Sequence, residues 1–253
     1  MYFILLAIIY VVPLYYVAKV NFNKGAFYIL FLLMASFSFW AYGTNGLRNG
    51  IATSIFLLVF TTKNRIVQIS FLLFAFGIHS SMIIPIAALV VAHFIKNTKY
   101  LLYAWLGAIP ISLIAGGILQ IIFAGLMEDN RTSYLTEGNV NNDSFSSTGF
   151  RWDFLLYSAI AVFAGWYYIY KKNYHDQRYK LIYGTYLVAN AFWILVIKAN
   201  FSNRFAYLSW FLIGLVIGYP LLKVYMFKNQ NVKIAYILIA YFAFTFLMNV
   251  ILY

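Results

Sequence analysis

The sequence predicts an all-α fold, a polytopic transmembrane helical bundle that forms a single integral membrane domain over residues 1–253. Composition is the first reason: 64% of the residues are hydrophobic and 9% are charged, whereas a soluble domain carries about 25% charged residues. The second reason is a series of apolar runs, each ended by a short polar break. The chain is therefore expected to lie in a bilayer.

The spacing of these breaks predicts about nine or ten hydrophobic segments. A helix needs about 20 apolar residues to cross a hydrocarbon layer of roughly 30 Å. The segments are expected near residues 1–18, 25–42, 47–62, 66–78, 82–95, 100–123, 153–170, 181–197, 205–222 and 234–253. An outer polar loop is expected at about residues 124–152, in a region rich in Asn, Ser, Thr and Gly.

The run from Ile66 to Ile95 predicts a broken or re-entrant helix pair near His79. As one helix it would be about 45 Å long, which is too long for a single upright crossing. Its centre holds Gly77, His79, a Ser pair and Pro85, and these residue types favour a break. Such irregular backbone is tolerated in membranes where it is buried in protein or lines a watery cavity.

The distribution of Lys and Arg predicts the orientation, because cytoplasmic loops are enriched in cations. With an outer N-terminus and a hairpin at residues 66–95, the inner loops hold thirteen of the eighteen cations. The outer side then holds five of the six acids and the cations Arg48, Arg131, Arg151, Lys198 and Arg204. The polar groups that are most costly to bury therefore share one face.

Arg48 is the first candidate for binding an anion. It stands where one apolar segment ends and the next begins, beside Asn45, Asn49 and two glycines. A cation at the centre of a membrane helix costs roughly 2.5 to 3.5 kcal/mol on insertion scales, so an arginine at this boundary predicts an anionic partner. The alternative is an interfacial arginine whose charged head lies among the lipid headgroups.

Arg204 and its neighbours are further candidates for binding an anion. Arg204 lies in a short polar turn between two apolar segments. Guanidinium groups bind phosphate through two parallel hydrogen bonds, so paired outer arginines suit a diphosphate. The predicted diphosphate-binding side chains are Arg48, Arg204, Lys198 and Arg151, with Asn45, Asn49, Asn203 and Tyr207 in support. An ordinary outer loop is the alternative explanation for the turn.

His79 and Asp153 are the catalytic candidates, as general bases. His79 lies at the predicted helix break, and Asp153 follows Arg151 and Trp152 at the start of a segment. Each also has a structural explanation. A histidine can pack through hydrogen bonds, and an acid favours a helix N-terminus electrostatically.

The sequence predicts no metal, no cofactor and no nucleic-acid partner. His79, His93 and His175 lack the spacing of metal ligands, and no Walker loop, G-x-S-x-G or dinucleotide fingerprint occurs. The net charge of +12 comes from cations in short loops instead of a contiguous basic face.

Three sequence blocks occur in order: NGLRNGIA at residues 45–52, FAFGIHSSMIIP at 74–85, and FRWDFLL at 150–156 with NRFAY at 203–207. Together they resemble the EpsG-type polytopic proteins, which are grouped with Wzy-like bacterial exopolysaccharide and O-antigen polymerases. The resemblance covers about residues 28–225. It departs at Asn49, where the family usually has glutamine, and in the N-terminal region, where the family's acidic D-Y motif is not found.

The resemblance implies a metal-independent glycosyltransferase that polymerises polyprenyl-diphosphate-linked oligosaccharide repeat units into a bacterial surface polysaccharide. The expected partners are this lipid-linked oligosaccharide, membrane lipid and other polysaccharide export proteins. The expected location is the bacterial inner membrane, with the active site facing the outside or periplasm.

Two other functions remain open from the sequence. A transporter or flippase for polysaccharide or lipid-linked sugar would show inverted repeats and mid-membrane polar residues, whereas the segments hold mainly Gln120 and Asn190 and show no repeat. A membrane O-acyltransferase that modifies exported glycan would use His79. It would also need a cytoplasmic acyl-donor site, where the inner loops offer only cations and His175.

Overall fold

The structure, a computed structural model, describes residues 2–126, 149–199 and 202–251. All regular structure in these ranges is helical, which confirms the predicted all-α fold. The polar loop predicted at about 124–152 lies mostly outside the described residues. The helices are α1 Tyr2–Phe22, α2 Ala26–Met34, α3 Phe37–Asn45, α4 Leu47–Leu57, α5 Arg65–Ile78, α6 Ile83–Phe94, α7 Thr98–Leu126, α8 Trp152–Trp166, α9 Gln177–Leu195, α10 Asn203–Trp210, α11 Ile213–Lys223 and α12 Gln230–Phe246.

Four stretches of the described chain are long and apolar enough to cross a membrane: Ile4–Met34, Thr98–Leu119, Asn203–Lys223 and Gln230–Ile251. The first of these is not one straight helix. Asn23 has a φ of 45°, a left-handed conformation that Asn tolerates better than most residues, and α1 packs against α2 beyond this turn. The apolar outer faces of α1 and α12 are exposed, as expected for helices that contact lipid.

Helix α9 forms the centre of the bundle and packs against α6, α7, α8, α10 and α11. Its tyrosines Tyr179, Tyr183 and Tyr186 are fully buried. Each hydroxyl donates to a backbone carbonyl of a neighbouring helix, at Val216, Val162 and Ser158 respectively, over 2.8 to 2.9 Å. Because an unpaired polar group is costly in an apolar interior, these bonds let a tyrosine-rich helix occupy the core.

Asn190 joins four helices through a buried hydrogen-bond network. Its Oδ1 accepts from the Trp105 indole at 2.7 Å, and its Nδ2 donates to Ser158 and Ser209 at 3.1 and 2.9 Å. The Trp210 indole donates to the same Ser158 hydroxyl at 2.7 Å. This mid-segment asparagine therefore connects α7, α8, α9 and α10 and has a structural role.

The predicted broken helix pair near His79 is confirmed. Helix α5 ends at Ile78, His79 is extended with φ −150° and ψ 121°, and α6 begins at Ile83 after one 3₁₀ turn. Arg65 at the start of α5 and Lys96 just after α6 line one cavity. The chain therefore turns back at His79 and returns to the end of the bundle from which it came.

That end of the bundle, which we call the basic end, gathers loops that are distant in sequence. Arg178 Nη1 donates to Asn21 Oδ1 at 2.6 Å, and Lys223 Nζ donates to the Asn21 carbonyl. The Thr98 hydroxyl lies 2.7 Å from the Tyr170 hydroxyl. This hydrogen bond joins the start of α7 to the segment that directly follows α8. Many of the cations assigned above to inner loops thus occupy one end of the molecule.

Candidate functional site

Arg48 is attached to the broken end of α5. It lies in the first turn of α4, and its Nε and Nη2 donate to the Ile78 carbonyl at 3.4 and 3.1 Å. Ile78 is the last residue of α5, where backbone carbonyls have no partner within the helix. The Arg48 side chain is exposed, so its guanidinium holds the break and also faces the surroundings at the end opposite the basic end.

His79, Ser81 and Asn49 form a short polar chain beside Arg48. The Ser81 hydroxyl donates to Asn49 Oδ1 at 3.1 Å and lies 2.8 Å from His79 Nδ1. The Ser81 backbone N–H also approaches His79 Nδ1 at 3.2 Å. Asn49 and Ser81 are both buried, so the imidazole is held from the protein side by groups that have little freedom to move.

The direction of this chain decides which ring nitrogen of His79 can accept a proton. When Nδ1 carries the proton, it donates to the Ser81 hydroxyl, which in turn donates to Asn49 Oδ1. The lone pair of the ring then lies on Nε2. When Nε2 carries the proton instead, Nδ1 accepts from the Ser81 N–H, a hydrogen bond that the first tautomer gives up. In the first tautomer, Nε2 of His79 can therefore act as a base. In the second, the Nε2–H group can donate a hydrogen bond.

The two helices that meet at this break are short. Helix α5 has 14 residues and α6 has 12, or about 21 and 18 Å of length. Helix α5 starts at the basic end, α6 finishes there, and a hydrocarbon layer is roughly 30 Å thick. Neither helix is therefore long enough to cross such a layer upright by itself.

Arg204, Asn203 and Tyr207 lie at the start of α10, in a second group. Asn203 Nδ2 donates to the Tyr207 hydroxyl at 3.3 Å. The Tyr207 ring meets the buried Tyr42 ring of α3 edge-on, with the centroids 5.7 Å apart. Helix α10 also packs against α6. This group therefore adjoins the helices that flank the first group, and the Arg204 side chain is exposed there.

Arg151 and Asp153 form an ion pair with each other at the start of α8. Arg151 Nε and Nη2 donate to the two carboxylate oxygens of Asp153 at 2.9 and 2.6 Å. The guanidinium also stacks on the Phe154 ring, 3.6 Å from its centroid, and Phe154 meets Trp210 of α10. The two charges neutralise one another, which weakens both the phosphate-binding prediction for Arg151 and the base prediction for Asp153.

Lys198 and Asn45 occupy separate positions. The Lys198 ammonium donates to the Leu113 carbonyl of α7 at 3.1 Å, and no hydrogen bond between described residues links it to Arg48. Asn45 is exposed as the last residue of α3. The structure thus brings His79, Arg48 and Asn49 together, pairs Arg151 with Asp153, and places Arg204, Asn203 and Tyr207 on an adjoining helix.

Ser81 and Tyr42 were not among the site residues predicted from the sequence. Ser81 is the residue that connects His79 to Asn49, and Tyr42 carries the contact between α3 and α10. The serine directly follows His79 and Ser80 in the block FAFGIHSSMIIP, so its position two residues after His79 was an available signal. Tyr42 gave no comparable signal, because tyrosine occurs throughout the chain.

The fold and the site define a class: a polytopic membrane protein with a polar site at a helix break. Among the described residues, no group of three His, Asp or Glu side chains is arranged to hold a metal ion. The chain belongs to the EpsG family, whose sequence model matches residues 1–253. This family is broadly glycosyltransferase-like and is associated with exopolysaccharide polymerisation. No curated protein and no solved structure matches the chain.

Proposed function

We propose that this protein polymerises polyprenyl-diphosphate-linked oligosaccharide repeat units into a bacterial surface polysaccharide, at the outer face of the inner membrane. The observation that carries the proposal is the junction of α4 with the broken α5–α6 pair. There an exposed guanidinium and an imidazole held by a serine and an asparagine lie at the same helix break. The family membership supports the same class of reaction.

Arg48 stabilises the leaving group in this reaction. As the bond between the anomeric carbon and the diphosphate oxygen breaks, negative charge develops on the diphosphate. A cation fixed in position stabilises such charge, and removal of one preorganised donor typically costs about 10²- to 10³-fold in rate. Arg204, on the adjoining helix, binds the same diphosphate.

His79 is the proposed base. With Nδ1–H donating to Ser81, Nε2 takes the proton of the acceptor hydroxyl on the next repeat unit. The acceptor oxygen forms the new bond to the anomeric carbon, and the polyprenyl diphosphate departs. The products are the lengthened glycan, the free carrier diphosphate and one proton. Asp153 is less suited to this role because its carboxylate is paired with Arg151.

The carrier lipid reaches this site from the side. Helix α5 packs on α4, and its other face exposes Ile66, Ile69, Leu73 and Phe74. A polyprenyl tail can lie along this apolar face while its diphosphate reaches Arg48 at the end of the same helix. The basic end of the bundle faces the cytoplasm in this arrangement, as the distribution of cations favours.

Reconstitution tests the proposal directly. Purified protein in vesicles, supplied with lipid-linked repeat units, should produce a ladder of longer glycans, and Arg48→Ala and Arg204→Ala should each reduce its formation at least 100-fold. Lys24→Ala, which removes an exposed cation at the basic end, is the matched control and should retain activity. Wild-type amounts of polymer from both arginine variants would remove the diphosphate-binding role.

The same preparation separates the competing functions. A flippase would move labelled lipid-linked repeat units between leaflets without lengthening the glycan. An acyltransferase would incorporate labelled acetyl groups into the glycan. Either result in the absence of polymer would contradict the proposed polymerase.

A further inference from the structure

A cavity of about 400 Å³ lies at the basic end, away from the proposed active site. It exists because the two helices of the broken pair pack on different partners: α5 lies on α4, whereas α6 lies on α9. The pair therefore opens toward the basic end, and the beginning of α9 forms the third wall. The volume is within the range of small-molecule sites, which is about 300–1,000 Å³.

The charge around this cavity has one sign. Five cations from three separate segments line it, and none of the described lining residues is Asp or Glu: the cations are Lys63, Arg65, Lys96, Arg178 and Lys180. Cations of like charge repel one another, and a cleft lined by one sign of charge raises the local concentration of the opposite ion. Orientation in the membrane explains why cations occur at this end, but not why five of them face one cavity.

Two side chains in the wall are held in place by other parts of the fold. Arg178 Nη1 donates to Asn21 Oδ1 of α1 at 2.6 Å. Gln68 Nε2 donates to the carbonyls of Val59 and Thr62 at 3.2 and 3.0 Å, which fixes α5 to the end of α4. These bonds are made by the protein itself and fix two walls of the cavity, which lowers the cost of ordering it on binding.

Apolar side chains share the cavity with the cations. Phe60, Ala92 and Leu181 are among the lining residues, and the exposed face of α5 continues from Ile66 at its rim. Cationic groups beside an apolar surface at a membrane boundary match an amphiphile with a phosphate head. Basic pockets between helices bind anionic lipid headgroups by this chemistry.

We propose that this cavity is a binding site for a phosphate ester, separate from the polymerisation site. The headgroup of an anionic phospholipid is the source that the apolar lining favours, and a soluble phosphate ester is the other source of the same chemistry. The phosphate is bound by Lys63, Arg65 and Lys96, and a lipid acyl chain leaves the cavity along α5. The ligand contacts both helices of the pair whose other ends meet at His79.

Native mass spectrometry and thermal unfolding of the full chain test the site without any measurement of polymerisation. The probes are dioleoylphosphatidylglycerol, dioleoylphosphatidylcholine and soluble glycerol 1-phosphate, each added to protein in a neutral detergent. One molecule of the anionic lipid should stay bound per chain and raise the melting temperature, and the zwitterionic lipid should do neither. A rise in melting temperature with glycerol 1-phosphate, equal to that with the lipid, assigns the site to a soluble ligand.

Matched variants show whether the cavity itself is responsible. The triple variant Lys63→Gln/Arg65→Gln/Lys96→Gln should weaken binding of the anionic lipid at least 10-fold. Lys19→Gln/Lys24→Gln/Lys228→Gln removes the same charge from exposed positions outside the cavity and should change it less than twofold. Lys63→Arg/Lys96→Arg retains the charge, should bind the lipid, and serves as a check on folding.

Two results would overturn the proposal. Equal loss of binding in the two glutamine variants would mean that the basic end attracts anions without a defined site. A failure of both the anionic lipid and glycerol 1-phosphate to bind the wild-type chain would mean that there is no phosphate site. Neither result depends on whether the protein polymerises glycan.

Discussion

Two nitrogens of the Arg48 side chain, Nε and Nη2, donate hydrogen bonds to the same acceptor, the carbonyl oxygen of Ile78. The contact joins residues 30 positions apart and fixes the guanidinium to the C-terminal end of α5. Because the backbone changes direction at the next residue, His79, the same bond sets the distance between cation and imidazole. Arg48 thus has a structural role and a proposed catalytic role that different substitutions can separate.

Arg48→Lys should lower polymerisation at least 10-fold while the protein stays folded. Lysine keeps the positive charge, but its single ammonium does not reproduce the planar fork of the guanidinium. Activity of the reconstituted protein and its melting temperature are measured together, with Arg65→Lys at the basic end as the control. Activity within twofold of wild type would show that charge alone suffices at this position.

Ser81→Ala should lower the rate about 10-fold and change its pH dependence. The substitution removes the hydroxyl that connects His79 Nδ1 to Asn49 Oδ1, and so forfeits part of the 10²- to 10⁴-fold that a general base contributes. Ser81→Thr restores a hydroxyl and should recover much of the rate. Ser70→Ala is the control, because the exposed Ser70 hydroxyl bonds only to its own helix at Ile66. If the rate of Ser81→Ala depended on pH as the wild-type rate does, Ser81 would have no role in proton transfer by His79.

His79→Gln and Asp153→Asn distinguish the two candidate bases. We expect the histidine variant to lose at least 100-fold in rate, because glutamine cannot accept the acceptor's proton. Asp153→Asn should retain at least a fifth of the wild-type rate, since its carboxylate is paired with Arg151. Rates of repeat-unit addition measure both. The opposite order of effects would transfer the base role to Asp153.

Gly214→Ala should destabilise the fold by about 1–3 kcal/mol, the usual cost of overpacking. A Cβ atom at Gly214 would lie 2.9 Å from the carbonyl carbon of Leu32 and 3.0 Å from its oxygen, and backbone atoms cannot rotate away. Gly107→Ala is the control, because a Cβ there meets nothing within 4 Å and alanine favours the helix. Thermal unfolding in detergent measures both, and equal melting temperatures would contradict the close packing of α11 on α2.

The natural chain contains no cysteine, which makes single-cysteine labelling a clean test of sidedness. Cysteines introduced at Asn45 and Arg204 should react with an impermeant reagent added outside intact cells. Cysteines at Lys24 and Lys228 should react only after the membrane is permeabilised. Labelling of positions 45 and 204 from opposite sides would contradict a shared site.

Helix breaks can be predicted from the sequence where several residues that disfavour a helix lie close together. The break at His79 was predictable because Gly77, the Ser pair and Pro85 interrupt a helix within a few residues. The predicted segment at residues 25–42, however, is divided into α2 and α3. Ser36 divides it by accepting from the Phe39 N–H at 3.2 Å and donating to the Leu33 carbonyl at 2.8 Å. A single serine in an apolar run does not distinguish this break from an uninterrupted helix.

The contacts that define the site could not be predicted from the sequence. Ser81 and Asn49 are 32 residues apart, and they meet because α4 packs against α5. The pairing of Arg151 with Asp153 is closer in sequence, yet its bidentate geometry depends on the side-chain conformations at the start of α8. The cavity at the basic end likewise forms because α5 packs on α4 whereas α6 packs on α9. The periodicity of hydrophobic residues in the sequence does not predict which helices pack together.

The shortness of α5 has a consequence for the surrounding lipid. A lipid-facing helix of about 21 Å is shorter than a hydrocarbon layer of roughly 30 Å, and bilayers adapt to such mismatch by thinning locally. The bilayer beside α5 would accordingly thin toward Ile78 and Arg48. In the proposed reaction, a carrier diphosphate in this thinned leaflet would reach the guanidinium with its headgroup still hydrated, and it would avoid most of the cost of entering hydrocarbon.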